Sequence, residues 1–458
     1  MARILILGGG ISGMSAAFDL QRDGNHQITL IESSNRLGGK IITHYHDDLI
    51  VEGGPDSVFT SKPAAVELME ELGLESEFVE PIGSGFSLYV GGKLHVVPRA
   101  MASLIPSASS ALESLGFLSS AARKRIRSEG EVPKGAGDDE SIASFFRRRF
   151  GSRFSKTLAE PLLAGIHAGD AEILSMKALY PTYIGMEQKN GKLTTEAHPP
   201  TSGSHPHPAR KPGFLTLRSG LQKLVDVLQD QLSRVDIRLN TRIDTITKDD
   251  AGVFQLAGSD NFEADILIFA IPGSSAANYL KTISPKAGDL LAKIRYASTA
   301  VVTVAYPLAA FPKGLHDNGF LVPADEKIDI TGCTFSSTKW PGRAPANMGL
   351  VRMFMGRDGG MNVDTFSDDD LLGKAIKTVE DVLHVKEKPS FTQVDRWSQA
   401  MPQYAIGHTD LMDGIEEALS ELPIYLVGGS YRGTGIPDCI RQGRQAAFRI
   451  LEKIEKAA

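Results

Sequence analysis

At 458 residues, 42% hydrophobic and 23% charged, the chain has the make-up of a soluble globular protein long enough for two or three domains. A formal net charge of −6 gives no footing for nucleic acid. Two cysteines far apart, Cys333 and Cys439, exclude a disulfide framework and fit a reducing, cytoplasmic setting, and no apolar run nears the roughly 18 residues of a membrane-spanning helix.

The opening stretch predicts a βαβ unit. Residues 4–7 are an apolar run short enough for a buried parallel strand. Gly8, Gly10 and Gly13 follow at G-x-G-x-x-G spacing, residues 14–20 read as a helix, and a second apolar run at 28–31 ends in Glu32. Gly8 permits the turn, Gly10 lets backbone approach a pyrophosphate, and Gly13 lets the helix lie on the strand. The helix N-terminus offers free N–H groups to phosphate, and Glu32 is spaced to accept from a ribose hydroxyl. The strand begins so early that no room is expected for a signal or transit peptide.

Arg36-Leu37-Gly38-Gly39-Lys40 comes next, two glycines between cations, suited to wrapping a pyrophosphate. Residues 42–45 and 49–52 predict a hairpin leading to Gly53 and Gly54, where backbone would pass close to a ligand. A helix is expected over 63–72, with Ser61 near its cap. Residues 86–90 and 94–97 about Gly91-Gly92 predict a second hairpin. Residues 100–165 read as mostly helical, interrupted at 128–140, with Arg147, Arg148 and Arg149 on a solvated face. Residues 197–213 read as a loop; its His198, His205 and His207 lack metal-ligand spacing, so no metal is expected.

Strands are expected at 237–239, 243–246, 253–256 and 264–271, and again at 301–306, 319–322, 328–335 and 349–354, the last four as an antiparallel sheet. A helix is expected over 371–383. Near the C-terminus a strand at 422–427 runs into Gly428-Gly429, then Gly433-Thr434-Gly435, then a helix from 439 to 451 with Gly443 on its close-packed face. A second helix N-terminus therefore points at the same site, where flavin O2 or N1 would gain from it.

These motifs resemble the oxygen-dependent, FAD-containing protoporphyrinogen oxidase family of the amine oxidase and phytoene desaturase superfamily. Besides the glycine turns, the carriers are Glu52 to Ser57, Ala164-Gly165-Ile166-His167-Ala168-Gly169-Asp170 with Leu174 to Lys177, Gly319 to Pro323, Ala400 to Tyr404 with Gly407-His408, and Gly428 to Asp438. The resemblance implies an α/β (α+β overall) protein: a discontinuous Rossmann-like FAD-binding domain (1–85, 213–272 and 395–458), a helical substrate or membrane-facing region (86–212), and an antiparallel-sheet substrate domain (273–394). It implies FAD contacts at Gly8, Gly9, Gly10, Ile11, Ser12 and Gly13, at Glu32 and Ser33, at Arg36, Gly39 and Lys40, and at Gly54, Pro55, Asp56 and Ser57. Ile243 would contact adenine, Trp397 would sit near the flavin, and Thr434, Gly435 and Ile436 would meet its pyrimidine end.

The implied reaction is oxidation of a porphyrinogen to a porphyrin in haem biosynthesis, with O2 as acceptor and H2O2 released. The flavin carries the chemistry, so no catalytic side chain is expected. The substrate set implied is Arg99, Gly165, Gly169, Leu321 and Met355. Plant and animal members place a propionate-binding arginine after the hairpin near 88–98, but residues 100–110 here contain none; Lys93 and Arg99 are the nearest cations. Protoporphyrinogen IX is placed ahead of coproporphyrinogen III. The rivals are a flavin amine oxidase or desaturase, and a flavin protein that holds porphyrin without turnover. A monomer or homodimer is expected, with peripheral membrane contact through the apolar stretch 100–125.

Overall fold

In the computed structural model, residues 1–83, 85–97, 115–194 and 213–457 are described. A five-stranded parallel sheet organises one half. In spatial order its strands are Val235–Arg238, Gln27–Ile31, Arg3–Leu7, Ile266–Phe269 and Ile424–Leu426. Helices cover both faces, so the inner strands Arg3–Leu7, Gln27–Ile31 and Ile266–Phe269 are buried along most of their length, whereas the edge strand Val235–Arg238 alternates, with Asp236 and Arg238 exposed. Ile4, Ile6 and Leu30 pack with the helices Ile11–Leu20 and Ile436–Ala457. Leu5, Leu7 and Phe269 pack on the other side with Gly273–Ile283, Pro285–Leu291 and His408–Leu419. The final helix is longer than expected, because it starts at Ile436 and runs past residue 451.

The second half is built on a seven-stranded sheet. Its spatial order is Phe391–Gln403, Arg295–Pro307, Met348–Met355, Gly332–Phe335, Gly319–Leu321, Phe86–Val90 and Lys93–Val97. The four strands expected as an antiparallel sheet pair antiparallel with one another, and the hairpin Phe86–Val90/Lys93–Val97 joins them through a parallel pairing of Phe86–Val90 with Gly319–Leu321, which makes the whole sheet mixed. One face carries Val302, Val304, Val351, Met353 and Met355 against the helix Asp368–Leu383. Side chains alternate across a strand, so Thr303, Arg352, Phe354, Asp395 and Trp397 lie on the other face, toward the hairpin Thr43–His46/Leu49–Glu52 and the loop after it.

A helical region packs against the edge of this sheet, with Leu88, Val90 and Val97 in its core. Ser120–Arg127 and Ile142–Phe150 are capped by Ser119 and Ser141. The helical run expected to continue past 142 breaks at Gly151, where φ is +87°, and resumes as the π-helix Ser155–Ala164, which contains Pro161. Leu115 and Leu118, counted above in an apolar stretch for membrane contact, are buried in this region's core. Leu112 lies outside the described residues, as does the loop holding His198, His205 and His207. Among the described residues no helix is long and apolar enough to cross a membrane.

The Arg147–Arg149 face is not solvated as expected. Arg147 reaches Glu172 at the surface. Arg148 pairs with Glu140 and Glu187, and Arg149 is fully buried against Glu129 and Glu187. Glu129 in turn accepts from Leu193 N at 3.0 Å and Thr194 Oγ1 at 2.8 Å. A buried guanidinium needs this degree of pairing to offset its desolvation.

Candidate active site

The glycine turn is formed by contacts that exclude side chains. Gly8 has φ +108°, and a Cβ on Gly13 would lie 2.0 Å from the Gly8 carbonyl oxygen. Gly10 differs: a Cβ there would meet only Gly39 Cα, at 3.9 Å. The first helix starts just beyond with no side-chain cap, so its N-terminal N–H groups face an open cleft that a side chain at Gly10 would enter. This cradle fits a pyrophosphate.

The last helix closes the same cleft. A Cβ on Gly443 would lie 2.3 Å from the carbonyl oxygen of Ser12, so the two helices cross in backbone contact. Ser12 also bonds Cys439, whose thiol burial pushes up to about 11. Two helix N-termini thus converge at Ser12, beside the turn Gly433-Thr434-Gly435. Tyr404 pins that turn: its hydroxyl donates to Gly429 O at 2.9 Å and accepts from Gly433 N at 2.8 Å.

At the other end, the Glu32 carboxylate accepts from Gly9 N at 2.9 Å and Ser34 N at 2.8 Å, with Ser33 exposed beside it. Thr241 N donates to the Glu32 carbonyl, which brings the start of the strand Ile243–Lys248 alongside. The structure therefore gathers Glu32, Ser33 and Ile243 at one end of the cleft and Thr434, Gly435 and Ile436 at the other.

The loop 36–40 lies between them. Arg36 donates to the carbonyls of Leu37 and Ile41, both at 2.9 Å, and so shapes its own loop. Lys40 donates to Ala400 O; burial lowers its ammonium pKa. Gly54 passes so close to Lys40 that a Cβ would lie 2.0 Å from its carbonyl oxygen.

Segment 53–57 is held from the seven-stranded sheet. Trp397 Nε1 donates to Gly53 O at 2.8 Å, and Arg352 donates to Gly54 O at 2.7 Å. Trp397 is thereby placed next to the loop that the cofactor was expected to touch. Asp56, expected as a ligand contact beside Pro55, is instead committed inward, to Ser57 Oγ, Trp340 Nε1 and Lys339 Nζ. Its burial opposes ionisation, but Lys339 and Arg352 outweigh it and hold the carboxyl well below the usual range.

The expected substrate residues divide. Gly165 has open space where a side chain would go, whereas Gly169 is crowded by Leu174 and Gln403. Leu321 is half-buried against the helical core. Met355 is fully buried on the far face of the sheet, because strand alternation turns it away from the cleft; its neighbour Phe354, half-buried, takes the cleft face. Arg99 lies outside the described residues, and Lys93 is exposed on the hairpin.

Three residues near the turn Gly433-Thr434-Gly435, namely His167, Tyr180 and Gln403, had no role of their own among the expected site residues. His167 sits in the turn after the π-helix, next to Ala168, whose φ is +48°. Its Nδ1 lies 3.4 Å from Thr434 Oγ1, and its Nε2 lies 3.3 Å from the Tyr180 hydroxyl. Burial, with Lys62 nearby, pulls its pKa down to about 4. Gln403 donates to the His167 carbonyl at 3.1 Å. The His167 position was visible within a motif, but its partners Tyr180 and Thr434 are 13 and 267 residues away, and no local pattern joins them.

Residues 11–451 match the family described as flavin containing amine oxidoreductase. A protein of Bacillus subtilis (strain 168) named coproporphyrinogen III oxidase is 32% identical over 98% of this chain and 97% of its own. The protoporphyrinogen oxidase of Homo sapiens is 29% identical, covering 98% of each. A crystal structure from Exiguobacterium sp. 255-15, to which protoporphyrinogen oxidation has been ascribed, superimposes with a TM-score of 0.87 at 29% identity over 99% of each chain.

Proposed function

The chain belongs to the flavin containing amine oxidoreductase family, and on that premise we propose that it oxidises coproporphyrinogen III to coproporphyrin III in haem biosynthesis. The observation that carries the substrate is the near full-length likeness to the Bacillus subtilis enzyme of that name. It reverses the order in which the sequence reading placed the two porphyrinogens. Protoporphyrinogen IX is the second reading, favoured by the human relative.

FAD fits the cleft by the open cradle at Gly10 and by the two helix N-termini that meet at Ser12. Bound there, it supplies a two-electron acceptor, and dioxygen carries the electrons on to hydrogen peroxide, three rounds completing the six-electron oxidation. Gly8 to Gly13, with Gly39 and Lys40, would hold the pyrophosphate, and Glu32 the ribose. Trp397 and Arg352 fix the loop at Gly53 and Gly54. Phe354, Leu321 and the opening at Gly165 offer walls for a broad apolar macrocycle.

The test is to mix FAD-loaded protein aerobically with each anaerobically prepared porphyrinogen and follow porphyrin fluorescence and peroxide. Coproporphyrin forming faster than protoporphyrin supports the proposal. The opposite order moves the assignment to protoporphyrinogen IX, and rates no greater than the spontaneous ones overturn porphyrinogen oxidation.

A further inference from the structure

We propose that His167, acting through the hydroxyl of Thr434, takes up the proton that leaves the macrocycle in each two-electron step, and that Tyr180 sets the imidazole tautomer for this task. The inference rests on the porphyrinogen reading above and extends it to the proton.

The tautomer follows from the hydrogen-bond chain. The Tyr180 hydroxyl donates to the Leu163 carbonyl at 3.1 Å. Its single hydrogen being used there, its 3.3 Å contact with His167 has Nε2 as donor and the phenol oxygen as acceptor. Nδ1 then carries the lone pair and faces the Thr434 hydroxyl at 3.4 Å. Thr434 stands in the turn before the last helix, at the end of the cleft assigned to the isoalloxazine. The Gln403 amide holds the His167 backbone in place.

The charged and titratable surroundings favour a neutral ring that accepts only transiently. Tyr180 and Tyr183 are buried phenols whose burial raises their pKa values. Lys62 is the cation that acts on the ring, and Asp438 pairs it at 2.6 Å. Asp170, on the same turn, bonds Glu172 N and so faces away.

The chemistry needs such a group. Hydride loss from a meso carbon removes an electron pair to the flavin and leaves a cation on the macrocycle. The N–H of that cation is acidic, so a weak base suffices. The pyrrole N–H bond breaks as the Thr434 oxygen gains that proton and passes its own to Nδ1, forming an N–H bond there. The imidazolium returns the proton by the same hydroxyl when dioxygen is reduced, forming an O–H bond of hydrogen peroxide. Each round then leaves His167 neutral again.

The test uses FAD-loaded protein, wild type and the variants His167→Asn and Thr434→Val. Anaerobic stopped-flow reduction of the flavin by coproporphyrinogen III is followed against pH. The wild-type rate is expected to fall on an acid limb. His167→Asn is expected to lose about a hundredfold in rate together with that limb, while flavin absorbance retained on the protein stays at the wild-type level. An unchanged rate, an acid limb persisting in the variant, or loss of bound FAD would each overturn the proposal, the last by making His167 a scaffold residue. A second readout needs no turnover: the ¹⁵N NMR difference spectrum between wild type and His167→Asn is expected to show a neutral imidazole protonated on Nε2. Protonation on Nδ1 instead overturns the relay. Wild-type flavin that is not reduced by either porphyrinogen, beside an Nε2-protonated ring, places the failure in the substrate reading.

Discussion

Gly443 of the last helix lies against the carbonyl of Ser12 in the first, so closely that even a methyl group would sit 2.3 Å from that oxygen. The contact is backbone to backbone, and no rotamer can relieve it. Gly443→Ala should push the helices apart, cost about 1–3 kcal/mol by overpacking, and weaken FAD binding, because both helix N-termini face the cofactor cleft. Urea unfolding of the apoprotein and a flavin titration check the two effects separately.

Arg149 and Glu129 form a fully buried pair that also ties Leu193 and Thr194. Arg149→Met removes one charge and strands the other. The expected loss is about 3–5 kcal/mol, read from the urea midpoint. Arg147→Met, whose partner Glu172 is exposed, should cost less than about 1 kcal/mol.

Phe354 and Met355 are adjacent but face opposite ways. Phe354→Ala should raise KM for the porphyrinogen roughly tenfold by removing apolar contact and leave stability nearly unchanged. Met355→Ala should cost about 2–5 kcal/mol with KM unaffected. Steady-state kinetics beside thermal melts separate them, and a reversed pattern would mean that the strand faces are assigned the wrong way round.

The imidazole of His167 titrates near 4 in the folded chain, burial being the main cause, and near 6.5 when unfolded. Between those values the unfolded chain binds the extra proton, so stability rises with pH across this window. The penalty is absent above about pH 6.5 and reaches about 2 kcal/mol at pH 5. Comparing urea midpoints of wild type and His167→Asn at pH 7.5 and pH 5 should show the variant losing less on acidification.

Much of the parallel-sheet half was legible in the chain. The strand at residues 4–7, the glycine turn and the strand at 28–31 are local, and each part agrees with the next. The two hairpins were legible for the same reason. The thirteen-residue strand Phe391–Gln403 was not: polar residues interrupt the apolar alternation on both faces, Asp395 pairing with His44 on one and Arg396 with Asp368 and the carbonyls of Val363 and Phe366 on the other. Arg149 was misread because its partner Glu129 lies 20 residues back, across a polar stretch; three arginines in a row look solvated until a carboxylate is buried beneath one of them. Met355 and Phe354 show the same limit. Alternation reveals that neighbours face opposite ways, and only packing decides which face meets the cleft.

The order in which the parallel sheet is assembled has a consequence for biosynthesis. The glycine turn is translated several hundred residues ahead of the strand Ile424–Leu426 and the helix Ile436–Ala457 that complete its cleft. At about 5–20 residues per second, the dinucleotide fingerprint waits roughly 20–80 s for those elements. A nascent chain stalled before residue 424 should therefore not retain flavin, and cofactor capture should follow synthesis of the helix Ile436–Ala457 rather than folding of the segment that carries the fingerprint.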